Sequence, residues 1–155
     1  MKEQVFTMSR EIYYLDTSAL VKRYVLEPGS EVVDMIFRDA YRGLAMISCS
    51  SWNIAEAALV FDKYGRILGL NTRELMRNMM RELRILSRLH MLRVIGVTPT
   101  IIRNSIQLIF KHHIYVADAL QVSSAKTINS SKFLTGDKKL AKIAEQEGLQ
   151  VIYVE

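Results

Sequence analysis

Four acidic residues, Asp16, Glu56, Asp118 and Asp137, stand where a carboxylate could do chemistry in this 155-residue chain. Asp16 closes the apolar run IYYL (12–15) and is followed at once by two hydroxyls, Thr17 and Ser18. Asp137 follows KFLT (132–135) through Gly136, Glu56 sits within IAEAALVF (54–61), and Asp118 opens ADALQVSSA (117–125). Converging carboxylates are the donor set of a hard cation such as Mg²⁺ or Mn²⁺, which keeps several waters and is completed by substrate phosphates. One or two such ions can activate a water and stabilise the charge of a phosphodiester during in-line displacement.

Each acid also has a simpler reading. Asp16, Asp118 and Asp137 all stand near helix starts, where Asp caps free N–H groups and complements the helix dipole. Glu56 resists that reading, because its helix is apolar on every side: Ile54, Ala57, Ala58 and Phe61 on one face, Ala55, Leu59 and Val60 on the other. A helix of that kind is expected to be buried, and a carboxylate in it must be neutralised, paired or bound to metal. No other constellation competes. His90, His112 and His113 have no zinc-type spacing with Cys49, no Ser–His–Asp arrangement can be picked out, and nucleotide-binding glycine loops are absent. His112 and His113 close a helical stretch, where a cationic group suits the dipole, and read as structural or surface residues.

The elements that must position these acids alternate. Strand-like runs occur at 12–15, 44–48, 132–135 and 150–154, with 92–97 a fifth. Helical spacing fills 30–41 after Pro28–Gly29, with Ser30 as expected N-cap, then 51–65 after Ser50, 71–90, 98–113, 117–128 and 137–148. Such alternation without hairpin signals predicts a mostly parallel sheet of four or five strands with helices on both sides, an α/β/α sandwich. Right-handed crossovers then place the strand-to-helix loops on one carboxyl edge, outside which ligands bind. Asp16, Asp137 and Glu56 are expected at that edge. The rule does not reach Asp118, whose helix follows another helix.

Composition bounds the setting. Half the residues are hydrophobic, and two prolines and seven glycines leave no room for a long linker, so one domain spans 1–155, with 1–10 expected as a poorly ordered extension. No run is apolar enough to cross a bilayer, MKEQVFTMSR lacks a signal core, and the lone Cys49 fits a reducing cytoplasm. The net charge is +5, and 71–93 holds six arginines against two glutamates. A basic face favours polyanions, nucleic acid above all; the plainer reading is a solvated helix with intrahelical pairs involving Glu82.

Taken together, YYLDTSALVKRYVLEPGSE (13–31), ISCSSWNIAEAAL (47–59), VADALQVSSA (116–125) and LTGDKKLAKIAEQEGLQVI (134–152) resemble the PIN-domain family, most closely the VapC-like ribonuclease toxins of VapBC modules. The resemblance implies an α/β/α sandwich whose acid cluster binds Mg²⁺ or Mn²⁺ and hydrolyses RNA. It assigns Asp16, Glu56, Asp118 and Asp137 to the family's four acids, and so joins Asp118 to the others. Thr17 or Ser18, and Thr135, match hydroxyls that orient an acid or a metal-bound water. An antitoxin partner of the VapB kind and a homodimer are further implications. Arg73, Arg77, Arg81 and Arg84 would contact RNA phosphates, and the faces around Met76, Met79, Met80 and Leu83 would serve either dimer packing or the core. Two departures stand out. Trp52-Asn53-Ile54 replaces a Ser/Thr-rich lead into Glu56, and no second acid adjoins Asp118 or Asp137. The alternatives are a catalytically silent nucleic-acid-binding or interaction module, and phosphoryl transfer through an aspartyl-phosphate at Asp16.

Overall fold

Strand residues alternate in direction, and the alternation divides the core into two. In a computed structural model describing residues 9–155, Leu15, Ile47 and Leu134 point into one apolar cluster, while their neighbours Tyr14 and Phe133 point into the other. The strands are β1 (Glu11–Leu15), β2 (Ala45–Ser50), β3 (Leu92–Ile95), β4 (Lys132–Thr135) and β5 (Val151–Tyr153), all parallel, in the order β3-β2-β1-β4-β5. The helices are α1 (Thr17–Val21), α2 (Ser30–Tyr41), α3 (Ser51–Leu68), α4 (Thr72–Arg88), α5 (Pro99–His112), α6 (Val116–Thr127) and α7 (Lys138–Gln146). Residues of α1 to α4 fill the first cluster and residues of α5 to α7 the second, so the chain is a three-layer α/β/α sandwich.

The caps explain most boundaries. Ser50 and Asn53 form a capping box at α3, Asn71 accepts from Glu74 N, and Pro99 occupies the first turn of α5. At α2 the N-cap is Gly29, with φ 87°, rather than Ser30. The Ser30 hydroxyl instead donates to Lys22 O at 2.8 Å and accepts from Glu27 N at 3.0 Å, pinning the loop before the helix. A Cβ on Gly29 would meet the Val154 carbonyl carbon at 2.8 Å, so close approach as well as conformation requires glycine there. Of the expected N-terminal extension, 1–8 lie outside the described residues, and Arg10 is tied to Gly43 O at 2.8 Å.

Two further expectations are corrected. Helix α3 is not buried all round: only Asn53, Ala57 and Phe61 are buried, while Leu59 is 68% exposed. One face packs on α1 and α4 and the other is open, so Glu56 is half-buried at the boundary. Glu82 does not pair within its own helix. It receives the Arg23 guanidinium at 2.8 and 3.0 Å and the Tyr41 hydroxyl at 3.0 Å, and Arg23 also holds Asp34 at 2.7 Å. Met79 and Leu83 are buried and Met76 and Met80 pack against them, so that face of α4 is core. No helix among the described residues is long and apolar enough to cross a membrane.

Candidate active site

The strand order creates one place where successive crossovers part. From β1 the chain moves outward through β2 to β3; from β4 it moves the other way to β5. The loops leaving β1 and β4 therefore go to opposite faces, and a crevice opens between their carboxyl ends. Asp16 leaves β1 and Asp137 follows β4 at that crevice. Helix α6 ends shortly before β4 begins, so its C-terminal end lies at the amino edge of the sheet and its first turn, with Asp118, at the carboxyl edge. This antiparallel run of the second crossover helix is what the sequence pattern did not supply.

The four acids line one cleft of about 240 Å³, together with Thr17, Ser18, Leu59, Val60, Gln121 and Leu140. Asp16 is 3% exposed and caps α1. Its Oδ1 accepts from Ala19 N at 2.9 Å and from the Ser18 hydroxyl at 2.6 Å, and its Oδ2 accepts from the Thr135 hydroxyl. Asp137 caps α7, its Oδ1 accepting from Lys139 N at 2.8 Å and Leu140 N at 3.0 Å. Capping and site-building are thus the same act for these two residues. Glu56 Oε2 accepts from the Thr17 hydroxyl at 2.5 Å and from the Gln121 amide at 3.3 Å. Asp118, in the first turn of α6, accepts no hydrogen bond from the described residues.

Electrostatics follow from that crowding. Burial pushes the Asp16 carboxyl up to about 6, against the pull of Ser18, Thr135 and Ala19, with Asp137 adding repulsion. Burial also raises Asp118, and the charges of Asp137 and Glu56 raise it further, while Lys139 opposes them. Among the described residues no three acidic, histidine or cysteine side chains are already closed round a point where an ion could sit. The donor chemistry nevertheless fits a hard cation. The Asp118 carboxylate, Glu56 Oε1 and Asp137 Oδ2 accept no bond from the described residues and line a cleft whose carboxylates repel. Mg²⁺ needs only one or two direct carboxylates and keeps the rest of its shell as water.

Thr17, Ser18 and Thr135 all touch these acids. Thr135 additionally accepts from Asp137 N at 3.0 Å, and Ser18 accepts from Gly136 N at 2.7 Å. Arg73, Arg77, Arg81 and Arg84 are exposed on α4, and none lines the cleft. Sequence reasoning passed over Gln121, Asn53 and Tyr14. The signal for Gln121 was available: a lone amide one helical turn after Asp118, on the same face. An aspartyl-phosphate at Asp16 is disfavoured, since both of its oxygens are bonded and the side chain is buried.

A cluster of carboxylates at the switch point of an all-parallel sheet defines an α/β protein with an acidic cleft at its strand ends, where ligands of such sheets bind. The family model for the PIN domain matches residues 13–146, and the chain belongs to that family. No curated protein matches it in sequence. Among solved structures it is similar to PAE2754 from Pyrobaculum aerophilum, with TM-score 0.65 and 14% identity over 97% of this chain and 92% of that one. It is similar to a chain of VapBC2 from Rickettsia felis, a structure bound to a DNA fragment from their promoter, with TM-score 0.60 and 18% identity over 93% and 99%. It is also similar to VapC20 from Mycobacterium tuberculosis, a sarcin–ricin loop cleaving toxin, with TM-score 0.58 and 14% identity over 88% and 95%.

Proposed function

We propose that this protein is a metal-dependent endoribonuclease, the toxin of a toxin–antitoxin pair, with Asp16, Glu56, Asp118 and Asp137 as its acid site. The observation that carries the reading is one cleft gathering four acids from four separate stretches of chain, three of the acids with oxygens that accept nothing from the described residues. A silent binding module would gain affinity for nucleic acid by losing these charges, and the cleft retains all of them.

Asp118, Glu56 Oε1 and Asp137 Oδ2 would hold Mg²⁺ or Mn²⁺, directly or through water, with Asp16 behind them. When bound, the ion supplies positive charge that polarises the scissile phosphate and eases ionisation of the attacking water. The chain's own work is positional. Ser18, Thr135 and Ala19 N hold Asp16 in one rotamer, Thr17 holds Glu56, and the free carboxylate oxygens accept hydrogens of a water and aim it in line. The exposed arginines Arg73, Arg77, Arg81 and Arg84 of α4 would take RNA phosphates away from the reacting centre. A VapB-like antitoxin would occlude the cleft, and a cytoplasmic setting completes the reading.

The homodimer that the resemblance implies would use a surface on α5, because the Met79 and Leu83 face of α4 is core. Ile102, Ile106 and Phe110 are 48, 46 and 74% exposed at four-residue spacing, and Tyr115 and Val116 extend the stripe. Under a two-fold axis with antiparallel helices, Ile106 meets its own copy and Ile102 faces the copy of Phe110, so the stripe is self-complementary.

The deciding experiment incubates the chain with structured RNA and Mg²⁺, Mn²⁺ or EDTA, beside Asp118→Asn prepared identically. Cleavage is expected only with metal and is expected to fall by at least about 100-fold in the variant. Equal cleavage by both proteins, or a wild-type chain that neither cleaves nor melts higher with Mn²⁺, overturns the reading.

A further inference from the structure

Behind the cleft lies a directed chain of buried hydrogen bonds that the four acids do not account for. The Tyr14 hydroxyl, on a side chain 0% exposed, donates to Gln121 Oε1 at 2.6 Å. That acceptor role commits the Gln121 amide nitrogen to the other side, where it donates to Glu56 Oε2 at 3.3 Å. A second chain arrives at the same oxygen. Ser50 N donates to Asn53 Oδ1 at 2.6 Å, Asn53 Nδ2 donates to Thr17 Oγ1 at 3.1 Å, and the Thr17 hydroxyl in turn donates to Glu56 Oε2 at 2.5 Å. Both relays end on Oε2 and neither touches Oε1. Gln121 is 2% exposed and Asn53 0%, so each amide is locked by packing as well as by its partners.

We propose that Gln121, backed by Tyr14, is a positioning residue of this site: with the Asn53–Thr17 relay it clamps Oε2 of Glu56 so that Oε1 faces the cleft. The inference rests on the proposed metal-dependent reading. Glu56 stands on the half-open face of α3, where a long side chain otherwise samples several rotamers, so fixing one oxygen removes an ordering cost from the binding of a cation or its water. Tyr14 has a stated part in this. Without its hydroxyl, the Gln121 amide is free to turn its oxygen toward the carboxylate, and the clamp becomes a repulsion.

Three variants test it: Gln121→Leu, Tyr14→Phe, and the double variant. Gln121→Leu alone takes away the short bond of the buried Tyr14 hydroxyl and leaves it only the longer one to Asn53 Oδ1 at 3.4 Å, so it is expected to lower the melting temperature. The double variant replaces both polar partners by apolar groups of similar shape and is expected to recover most of that loss. The readouts are the Mn²⁺ concentration giving half the maximal rise in melting temperature, and kcat and KM on RNA. Positioning predicts that the double variant is stable yet needs about 10-fold or more Mn²⁺, with kcat lowered and KM little changed. A double variant that matches the wild type in Mn²⁺ response and kcat overturns this inference alone. A wild type without any Mn²⁺ response or cleavage overturns the function reading and this inference with it.

Discussion

At the scale of single residues, Asp16 carries a cost that its position imposes. Its carboxyl is raised from 3.8 to about 6, so the folded chain binds that proton more tightly than the unfolded one does. The contribution to stability is therefore full below the unfolded value and is lost as the pH rises through about 6. At neutral pH the ionised group costs roughly 3 kcal/mol by this linkage, since one unit is worth about 1.4 kcal/mol. We expect Asp16→Asn to be more stable than wild type in EDTA at pH 7.5, by about 1–2 kcal/mol after some loss of hydrogen bonding. Its advantage should vanish near pH 4. Urea titrations at the two pH values check this, and a variant less stable by the same amount at both would show that Asp16 carries no charge penalty. Mn²⁺ should raise the melting temperature of the wild type less as the pH is lowered below about 6, because the protonated carboxyl gives up its charge.

At the scale of elements, the hairpin of α3 and α4 sets the wall of the cleft that carries Glu56 and Leu59. The two helices approach closely at Gly65, where a Cβ would collide with the Thr72 hydroxyl, which itself donates to Phe61 O at 3.1 Å. Helix propensity alone makes Gly65→Ala favourable by about 1 kcal/mol. The collision reverses the sign: we expect Gly65→Ala to lose about 1–3 kcal/mol in urea denaturation through overpacking. A stabilised variant would show that the hairpin yields at no cost. Within the same layer the hairpin is tied to α2 by Arg23, whose guanidinium joins Glu82 of α4 and Asp34 of α2 and lies 5.0 Å from the Phe37 ring centroid. Such a planar, bidentate clamp aligns helices whose apolar faces alone would tolerate small rotations.

At the scale of the whole molecule, the proposed homodimer turns on the exposed stripe of α5. Ile106→Glu places a charge where the proposed two-fold axis runs, and like charges then face each other across it. Light scattering on the wild type at tens of micromolar should give about twice the chain mass, and the variant about the chain mass. Ile106 is 46% exposed, so the fold itself should tolerate the change. A wild type that stays monomeric would remove this interface. Exposed Tyr115 and Val116 follow the stripe in sequence and stand just before Asp118, so the proposed interface would adjoin the acid cleft through the first turn of α6.

The alternation of strand-like and helical runs, the cap at Ser50, and the carboxylates that follow β1 and β4 were all legible in the sequence, because they depend on neighbours a few residues apart. The crossover rule alone then brought Asp16 and Asp137 to one edge, since handedness is local chemistry repeated. What lay beyond it depends on packing between distant segments. The half-open face of α3 follows from α4 covering only one side of it, and the partner of Glu82 proved to be Arg23, 59 residues away. The membership of Asp118 in the cleft required a resemblance in the sequence and a second crossover helix in the structure. The Tyr14–Gln121–Glu56 relay spans 107 and then 65 positions of chain, and no periodicity encodes it. Local pattern determined the elements and their caps; which polar groups meet in the buried interior was decided only when the sheet closed and left each of them one partner.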